Sequence, residues 1–374
     1  MKMKLSGIQV YWIIMIMDLG MALVVTVTPS LQAAKQDAWM SVIVAGCIAI
    51  LMALLVTQVA QLYPNQTLIE SSQTILGAWL GKVIILIYLV QWYTITPIVL
   101  RQFTDLVQIM LLHQTPNEAV MLLMISIIVY VTYAGGIEGI GRCSEFLGPI
   151  ILLMVALVLI ANITNVNMKN LLPVYADSGL TRILSGSLAP ASYLGHSVEY
   201  LMFASFLNET RKGTPYVFSA VLTAFFTVLL TTMMIIVTIG TNLSPDIWYP
   251  FIEMAKKISL FSFIDNIDAV PIVIWIASVF IKLAVYLFIT SYGTAQFLKV
   301  RNWKKMIWFV APVIFIFALI PQDVTQASTH YLQNYWVPVA MPVNMLGLPL
   351  LLLIAGKWRQ RKSPAPAAPA DNAS

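Results

Sequence analysis

The chain has 374 residues and a net charge of +5, and it is 59% hydrophobic and only 10% charged. A typical soluble domain contains about 45–50% apolar and about 25% charged residues, so this chain has too few charges to cover a water-facing surface. The composition therefore excludes a soluble enzyme and a disordered regulator as descriptions of the whole chain. It also excludes a nucleic-acid binder, because the basic residues are distributed between apolar runs and do not form one basic face. The sequence predicts a polytopic, all-α membrane protein.

Apolar runs along the chain predict about ten transmembrane helices, because crossing a hydrocarbon core of ~30 Å takes about 20 residues. Their approximate positions are 8–27, 40–60, 83–102, 119–133, 146–161, 184–206, 216–240, 270–290, 306–320 and 337–355. The runs are continuous, which favours helices over the alternating strands of a β-barrel. The first run follows Lys2 and Lys4 and contains Asp18. It is too long for the core of a cleaved signal peptide, and we interpret it as a retained helix.

The distribution of the 21 Lys and Arg residues predicts the orientation. With the amino terminus inside, most of them lie in cytoplasmic loops, as the positive-inside rule requires. Both termini are then cytoplasmic. We expect residues 1–362 to form a single integral membrane domain, and the Pro- and Ala-rich residues 363–374 to form a disordered cytoplasmic tail.

The longest predicted outer loop, residues 241–268, contains a segment with apolar residues at helical spacing and a charged face. This segment runs from Phe251 to Ile258 and includes Glu253, Lys256 and Lys257. Such a pattern is typical of an amphipathic helix that lies on the membrane surface. A plain surface loop is the alternative.

No motif for covalent catalysis is present, and we expect the chain not to be an enzyme. The two cysteines, Cys47 and Cys143, lie in an apolar run and a short polar connection, with no spacing typical of a zinc site or a disulfide framework. The three histidines are scattered along the chain. We therefore predict no metal and no cofactor.

Three ionisable residues lie inside predicted spans: Asp18 in the first, Glu199 in the sixth and Lys282 in the eighth. A charge within the membrane is costly, so such residues indicate a functional site. The alternative is that they form structural ion pairs, or face a water-filled cavity without binding any ligand.

Glycines in the first and sixth spans predict interruptions of these helices. Secondary transporters often break helices near the bilayer midplane, where free backbone N–H groups receive an anionic ligand. Gly20 with Ala22, and Gly195 with Ser197, would allow such breaks, although glycine is also common where membrane helices pack closely. These two helices are the first helices of the two halves of a ten-helix chain. Because each half has five helices, an odd number, the second half begins on the other side of the membrane from the first. This predicts a 5+5 inverted repeat.

Polar and aromatic residues of the third span, among them Tyr93, could line a solute pocket or form interhelical hydrogen bonds. Tyr286 shares a helix face with Lys282, four residues before it. Arg101 and Asp105 have the same spacing near the outer boundary, where we expect a surface ion pair.

A series of short motifs, in this order and spacing, resembles the permease-like B subunits of bacterial spore germinant receptors. The similarity covers nearly all of residues 6–356. The motifs are Ile8-Gln9, Asp18-Leu19-Gly20, Pro29, Gln36-Asp37-Ala38-Trp39, Tyr63-Pro64, Leu76-Gly77-Ala78-Trp79-Leu80-Gly81, Asn170-Leu171-Leu172-Pro173-Val174, Tyr193-Leu194-Gly195-His196-Ser197-Val198-Glu199, Trp248-Tyr249-Pro250, Trp275 and Pro321-Gln322-Asp323.

The resemblance implies membership of the amino acid–polyamine–organocation transporter superfamily and a LeuT-like fold of ten helices. It implies nutrient sensing, with amino acids as the expected ligands, in the inner membrane of an endospore. It also implies two partner subunits, a larger membrane protein and a lipoprotein. Gly20 and Gly195 lie where the superfamily unwinds its first and sixth helices. Met21 reduces the small-residue cluster of the first helix, and the fifth span lacks the lysine of some proton-coupled members.

The leading hypothesis is a germinant-receptor subunit that binds a small nutrient in a transporter-like pocket. We expect the backbone of Asp18, Leu19, Gly20 and Ala22, and that of Leu194, Gly195, His196 and Ser197, to receive the charged ends of the solute. Tyr93 and Tyr286 would form pocket walls, and Asp18, Glu199 and Lys282 would set the charge. An autonomous ion-coupled amino-acid permease is the main alternative, and a structural subunit with a vestigial pocket is a third.

Overall fold

A computed structural model describes residues 3–176, 178–240, 247–260, 264–265 and 269–362. The predicted tail, residues 363–374, lies outside the described residues. The α-helices are α1 (Gly7–Met21), α2 (Val27–Ala34), α3 (Ala38–Leu62), α4 (Leu68–Leu76), α5 (Ala78–Met110), α6 (Asn117–Ala161), α7 (Gly179–Leu194), α8 (Tyr200–Phe203), α9 (Gly213–Ile239), α10 (Pro250–Lys256), α11 (Ala269–Phe297), α12 (Lys304–Ala318) and α13 (Leu348–Lys362).

Six continuous helical stretches of the described chain are long and apolar enough to cross a membrane. Two of them, Gly7–Leu62 and Asn117–Asn165, each contain two of the predicted spans. The predicted sixth span is divided between α7 and a second helical segment that ends at Phe206. The ninth, α12, has only 15 residues. The helices therefore follow the order of the ten predicted spans. However, one continuous helical stretch can contain two predicted spans, and one predicted span can contain two helical segments.

The first predicted span is interrupted by a π-helical turn, Ala22–Thr26, between α1 and α2. Pro29 follows and has no N–H to donate to the carbonyl four residues earlier, which disturbs the regular α-helical pattern. The tenth span begins as a longer π-helical run, Thr325–His330 and Leu332–Gly347, which contains Pro338 and Pro342. Such π segments are rare and occur frequently at functional sites.

The predicted fourth and fifth spans are the two arms of α6, which bends at Gly136. This residue has φ of 54° and ψ of −151°, outside the helical region. A positive φ of this size is readily adopted only by glycine. The chain therefore reverses here without a loop.

The first and sixth spans run in opposite directions. At one end of the bundle the Leu5 N–H donates to Phe206 O at 2.8 Å. At the other end the Ser30 hydroxyl donates to Gly186 O at 2.9 Å. The start of the first span thus meets the end of the sixth, as an inverted repeat requires. We call the end that holds Leu5 the amino-terminal face and the other end the opposite face.

The predicted amphipathic helix is present as α10, Pro250–Lys256. Phe251, Ile252 and Met254 are fully buried within the protein, so this helix packs on the bundle instead of lying on a membrane surface. Two short antiparallel strands follow, β1 (Ser259–Leu260) and β2 (Ile264–Asp265). They are a small addition to the predicted all-α architecture. Residues 241–246, 261–263 and 266–268 of this predicted loop lie outside the described residues.

The centre of the bundle is formed by α1 and α11. α1 packs against α6, α9 and α11, and α11 also packs against α5, α6 and α12. Of the six long apolar stretches, α11 is the most enclosed by the protein. The predicted intramembrane charges of the first and eighth spans therefore lie in the protein interior, away from lipid.

Candidate functional site

The sixth span is interrupted at Gly195 and His196. α7 ends at Leu194, the Gly195 N–H donates to Ala191 O at 2.9 Å, and His196 leaves the helical region with ψ of 39°. A Cβ at Gly195 would collide with the Met52 sulfur and lie 2.8 Å from Ala191 O. The close approach of a neighbouring helix therefore requires glycine here, and the predicted break of the sixth span is confirmed.

His196 connects two other polar side chains at this break. Its Nε2 lies 2.8 Å from Glu199 Oε1, and its Nδ1 lies 2.8 Å from the Tyr286 hydroxyl. All three side chains are buried. Neither Glu199 oxygen has a hydrogen bond to a described residue, so the Glu199 contact is a short distance without hydrogen-bond geometry. The Tyr286 hydroxyl lies within hydrogen-bond distance of both ring nitrogens, 2.8 Å from Nδ1 and 3.2 Å from Nε2. The sixth and eighth spans are thereby joined by a buried chain of close polar contacts, in which His196 and Tyr286 form the hydrogen bond.

Lys282 lies beside this chain and reaches the first span. Its Nζ donates to Met17 O at 3.0 Å and lies 5.3 Å from the centre of the Tyr193 ring. The side chain is only 1% exposed, and its Nζ also lies 6.0 Å from the centre of the Tyr286 ring. An ammonium over an aromatic face is stabilised by the ring quadrupole. The three predicted intramembrane charges therefore belong to one buried cluster.

Asp18 has no hydrogen-bond partner for either carboxylate oxygen among the described residues, although it is 1% exposed. Burying a charge without a partner is costly. Ser197 Oγ is likewise buried with no described partner. These groups lie on the first and sixth spans, and each could gain hydrogen bonds from a polar ligand.

The backbone of the first span differs from our expectation. Asp18, Leu19 and Gly20 remain within α1, and the Ala22 N–H donates to Asp18 O and Leu19 O. The interruption is the π turn that begins at Ala22, so Gly20 does not unwind the helix. A Cβ at Gly20 would instead collide with the Ser278 side chain of α11. Gly20 is therefore required by close helix packing, because no side chain fits between α1 and α11.

Tyr93 lies apart from the other predicted site residues. It is only partly buried, and its hydroxyl lies 3.1 Å from Thr294 Oγ1. Thr294 follows Tyr286 by two helical turns, about 12 Å along the axis of α11. The structure therefore does not bring Tyr93 to the cluster. Leu19, Ala22 and Leu194 are fully buried core residues.

Two aromatic residues that the sequence did not single out for the site complete its walls. The Trp336 ring packs edge-on against His196 with 4.8 Å between ring centres. Tyr193 lies between Trp336 and Lys282, with 5.8 Å to the Trp336 ring. Tyr193 precedes Gly195 in the motif that marked the break. Trp336 lies in the tenth span, and no local pattern connects it to His196.

The Arg101–Asp105 pair was wrongly predicted to be at the surface. Arg101 Nε lies 2.7 Å from Asp105 Oδ1, and both side chains are buried. The guanidinium also donates to Pro321 O and to Gln322 O. It thereby attaches α5 to the connection between α12 and the tenth span. This pair lies outside the cluster.

The cluster offers complementary charges to a small zwitterion. The carboxyl oxygens of Asp18 and Glu199 have no hydrogen-bond partner among the described residues, and Lys282 supplies an amino group between the first and eighth spans. An ammonium group would be attracted to the carboxylates and a carboxylate group to Lys282. Among the described residues, no group of three or more His, Cys, Asp or Glu side chains could hold a metal ion.

The overall fold is similar to that of solved transporters. MhsT in complex with L-phenylalanine matches with a TM-score of 0.66, covering 96% of this chain and 98% of its own at 11% identity. Mhp1, a nucleobase-cation-symport-1 family transporter, matches with a TM-score of 0.63, covering 97% and 94% at 14% identity. The chain therefore has the LeuT-like fold with discontinuous first and sixth helices.

Curated relatives point to a narrower group. Spore germination protein KB of Bacillus subtilis is 26% identical over 366 residues, covering 96% of each chain. Spore germination protein YndE of the same organism is 25% identical over 341 residues, covering 90% of this chain and 91% of its own. The family model described as spore germination protein matches residues 4–327. The chain thus belongs to the spore germination protein family of permease-like membrane proteins.

Proposed function

We propose that this chain is the transporter-like subunit of a spore germinant receptor, and that it binds a small nutrient, an amino acid, between its first, sixth and eighth helices. The observation that carries this proposal is the buried cluster of Asp18, His196, Glu199 and Lys282 at the break of the sixth helix. Its charges match both ends of a zwitterion. The similarity to spore germination proteins supports the biological setting.

In this proposal the amino-terminal face is cytoplasmic and the chain lies in the inner membrane of the spore. Two further subunits, a larger membrane protein and a lipoprotein, receive the signal. Binding favours one arrangement of the interrupted helices, and it does so only to the extent that the nutrient binds that arrangement more tightly. Leu5 and Phe206 are hydrogen-bonded at the amino-terminal face. The start of the first span and the end of the sixth therefore lie side by side, where a partner subunit could contact both.

The experiment compares spores that lack this gene with spores complemented by wild type, Gly195→Trp or Gly135→Trp. Gly195 has no room for a Cβ, whereas nothing lies within 4 Å of a Cβ at Gly135. The fall in optical density is recorded on adding a panel of amino acids, and the protein is quantified by immunoblot. We expect Gly195→Trp to lose the response to specific nutrients while the protein persists, and Gly135→Trp to retain it. Normal germination of the deletion strain on every nutrient would contradict the sensing role.

An autonomous ion-coupled amino-acid permease is the second candidate. It is favoured by the fold, which the chain shares with transporters including a Na+-coupled sialic acid symporter with a TM-score of 0.63. Fold alone does not determine function. Uptake of radiolabelled amino acids into vesicles that contain only this chain separates the two candidates, because a sensor without its partner subunits gives no accumulation.

A further inference from the structure

A group of basic residues lies where α11 is connected to α12. Its members are Lys299, Arg301, Lys304 and Lys305. A Cβ at Gly136, the bend of α6, would lie 3.2 Å from the Met3 sulfur and 3.6 Å from the ring of Trp303 in this connection. The group therefore lies at the amino-terminal face. Three of the four cations are exposed, and none forms a salt bridge within the described part of the chain. We call these four residues the basic cluster.

The acidic residues of the adjoining arm of α6 do not neutralise the basic cluster. Glu138 accepts the backbone N–H of Lys4 at 2.6 Å, and Glu145 accepts the Gln9 amide at 3.2 Å. Both acids thus contact the first span. Arg142, between them in sequence, and the side chain of Lys4 add two exposed positive charges. The end of the bundle that holds α6 and α12 therefore has an excess of positive charge, which attracts anions.

Aromatic side chains hold one cation of the basic cluster in position. Lys304 Nζ lies 5.2 Å from the centre of the Tyr133 ring, and this ring lies 6.0 Å from the ring of Trp308. Trp308 follows Lys304 by four residues, so the two side chains share a face of α12. An ammonium over an aromatic ring is attracted by the ring quadrupole. The contact between α6 and α12 thereby fixes an ammonium beside an indole.

The surface next to these rings is apolar and faces away from the bundle. Trp308 and Phe309 of α12 are exposed, and so is Tyr130, about one turn before Tyr133 on α6. Exposed Trp and Tyr side chains are typical of the level where lipid headgroups meet the acyl chains. Basic residues at the end of a membrane helix are typical of anionic headgroup sites. Cations followed by aromatic side chains along one helix match a molecule with an anionic head and an apolar tail.

We propose that the basic cluster and the rings of Tyr133 and Trp308 form a binding site for an anionic phospholipid. The phosphate group lies among Arg301, Lys304 and Lys305, and the acyl chains lie along the exposed face of α12. A soluble anion would contact the cations but would cover none of the apolar surface. A zwitterionic lipid would add a positive charge that the cluster repels. The proposal is independent of the nutrient site, with which it shares no residue.

The test measures the binding of fluorescent phosphatidylglycerol to the purified full-length chain in detergent micelles. Phosphatidylcholine with the same acyl chains and label is the zwitterionic comparison, and glycerol phosphate presents the anionic head without a tail. We expect saturable binding of phosphatidylglycerol, roughly tenfold tighter than that of phosphatidylcholine, and no displacement by an equal concentration of glycerol phosphate. Equal binding of the two lipids would overturn the proposal and leave an acidic segment of a partner protein as the occupant. Displacement by glycerol phosphate would overturn the assigned lipid, because a soluble anion would then suffice.

Variants then locate the site. The double substitution Arg301→Gln and Lys305→Gln is expected to weaken phosphatidylglycerol binding by roughly tenfold, and Trp308→Ala by roughly fivefold. The double substitution Lys82→Gln and Lys357→Gln changes the net charge equally at two exposed positions on α5 and α13, and it should leave binding unchanged. Thermal unfolding identifies any variant that fails to fold, and the double variant and Trp308→Ala serve as replacements for each other. Equal weakening by the two double substitutions would overturn the location, because the net charge of the whole chain would then be responsible.

Discussion

The ammonium of Lys282 donates to the backbone carbonyl of Met17 across 3.0 Å, and so joins the eighth helix to the first one residue before Asp18. This bond places a positive charge next to a carboxylate that has no described hydrogen-bond partner. The bond and the charges together connect two helices that form the centre of the bundle.

Lys282→Met is expected to destabilise the protein strongly. Removing one member of a buried set of charges leaves the others uncompensated and costs about 3–5 kcal/mol. Lys82→Met is the matched control, because Lys82 is exposed and surface substitutions usually change stability by less than about 0.5 kcal/mol. The measurement is thermal unfolding in nanodiscs. Adding Asp18→Asn to Lys282→Met should recover part of the loss, since interacting sites are not additive. Equal midpoints for Lys282→Met and Lys82→Met would show that the cluster is not electrostatically coupled.

Gly20→Ala is expected to lower stability by about 1–3 kcal/mol, because the new methyl group overpacks the contact between α1 and Ser278. Ser278→Gly in the same chain should restore most of the loss. Gly135→Ala serves as control, since a Cβ there meets nothing within 4 Å and alanine favours a helix by about 0.5–1 kcal/mol. The measurement is the thermal unfolding midpoint of wild type, Gly20→Ala, the double variant with Ser278→Gly, and Gly135→Ala. A midpoint of Gly20→Ala at or above wild type would contradict the close contact.

Arg101→Met is expected to destabilise by about 3–5 kcal/mol, because it leaves the buried Asp105 carboxylate unpaired and removes the guanidinium bonds to two carbonyls. Arg101→Lys should recover little, because an ammonium cannot reproduce the planar, branched geometry of a guanidinium. Lys256→Met breaks the more exposed pair with Glu253 and should cost no more than about 1 kcal/mol. Chemical denaturation of the three variants provides the comparison, and similar losses for Arg101→Met and Lys256→Met would contradict the burial argument.

Tyr286→Phe is expected to weaken amino-acid binding by roughly tenfold, because it removes the hydroxyl that holds His196 Nδ1 and a hydrogen bond at such a site is worth about 1–1.5 kcal/mol. Tyr93→Phe removes a hydroxyl that contacts Thr294 instead and should leave binding unchanged. Equilibrium dialysis with the same amino acids measures both. An equal loss of amino-acid affinity in Tyr286→Phe and Tyr93→Phe would contradict the separation of Tyr93 from the cluster.

The fold and the positions of the buried charges could be predicted from the sequence, for physical reasons. Long apolar runs are required by the membrane itself, so the order of spans could be predicted from composition. A charge inside such a run is rare, and therefore Asp18, Glu199 and Lys282 were recognisable before their contacts were known. Gly195 also marked the true break, because a glycine followed by the small Ser197 inside a predicted span allows the helix to be interrupted.

The remaining features depend on contacts between distant segments. Gly20 looks like a helix breaker in sequence, yet it serves the packing of Ser278 against α1. Arg101 and Asp105 have the spacing of a surface pair, and only the connection at Pro321 and Gln322 buries them. No local pattern could have placed Trp336 against His196 or removed Tyr93 from the cluster.

The most direct measurement of the central claim combines binding and germination in one variant pair. Glu199→Gln removes the charge that contacts His196 at the break, and Glu209→Gln removes an exposed carboxylate that pairs with Lys212. Amino-acid affinity is measured on the purified chains, and the fall in optical density is measured on complemented spores with the protein quantified. The account predicts that Glu199→Gln binds the nutrient at least about tenfold more weakly and loses the response to that nutrient, with Glu209→Gln like wild type. Undiminished affinity and response in Glu199→Gln would contradict it.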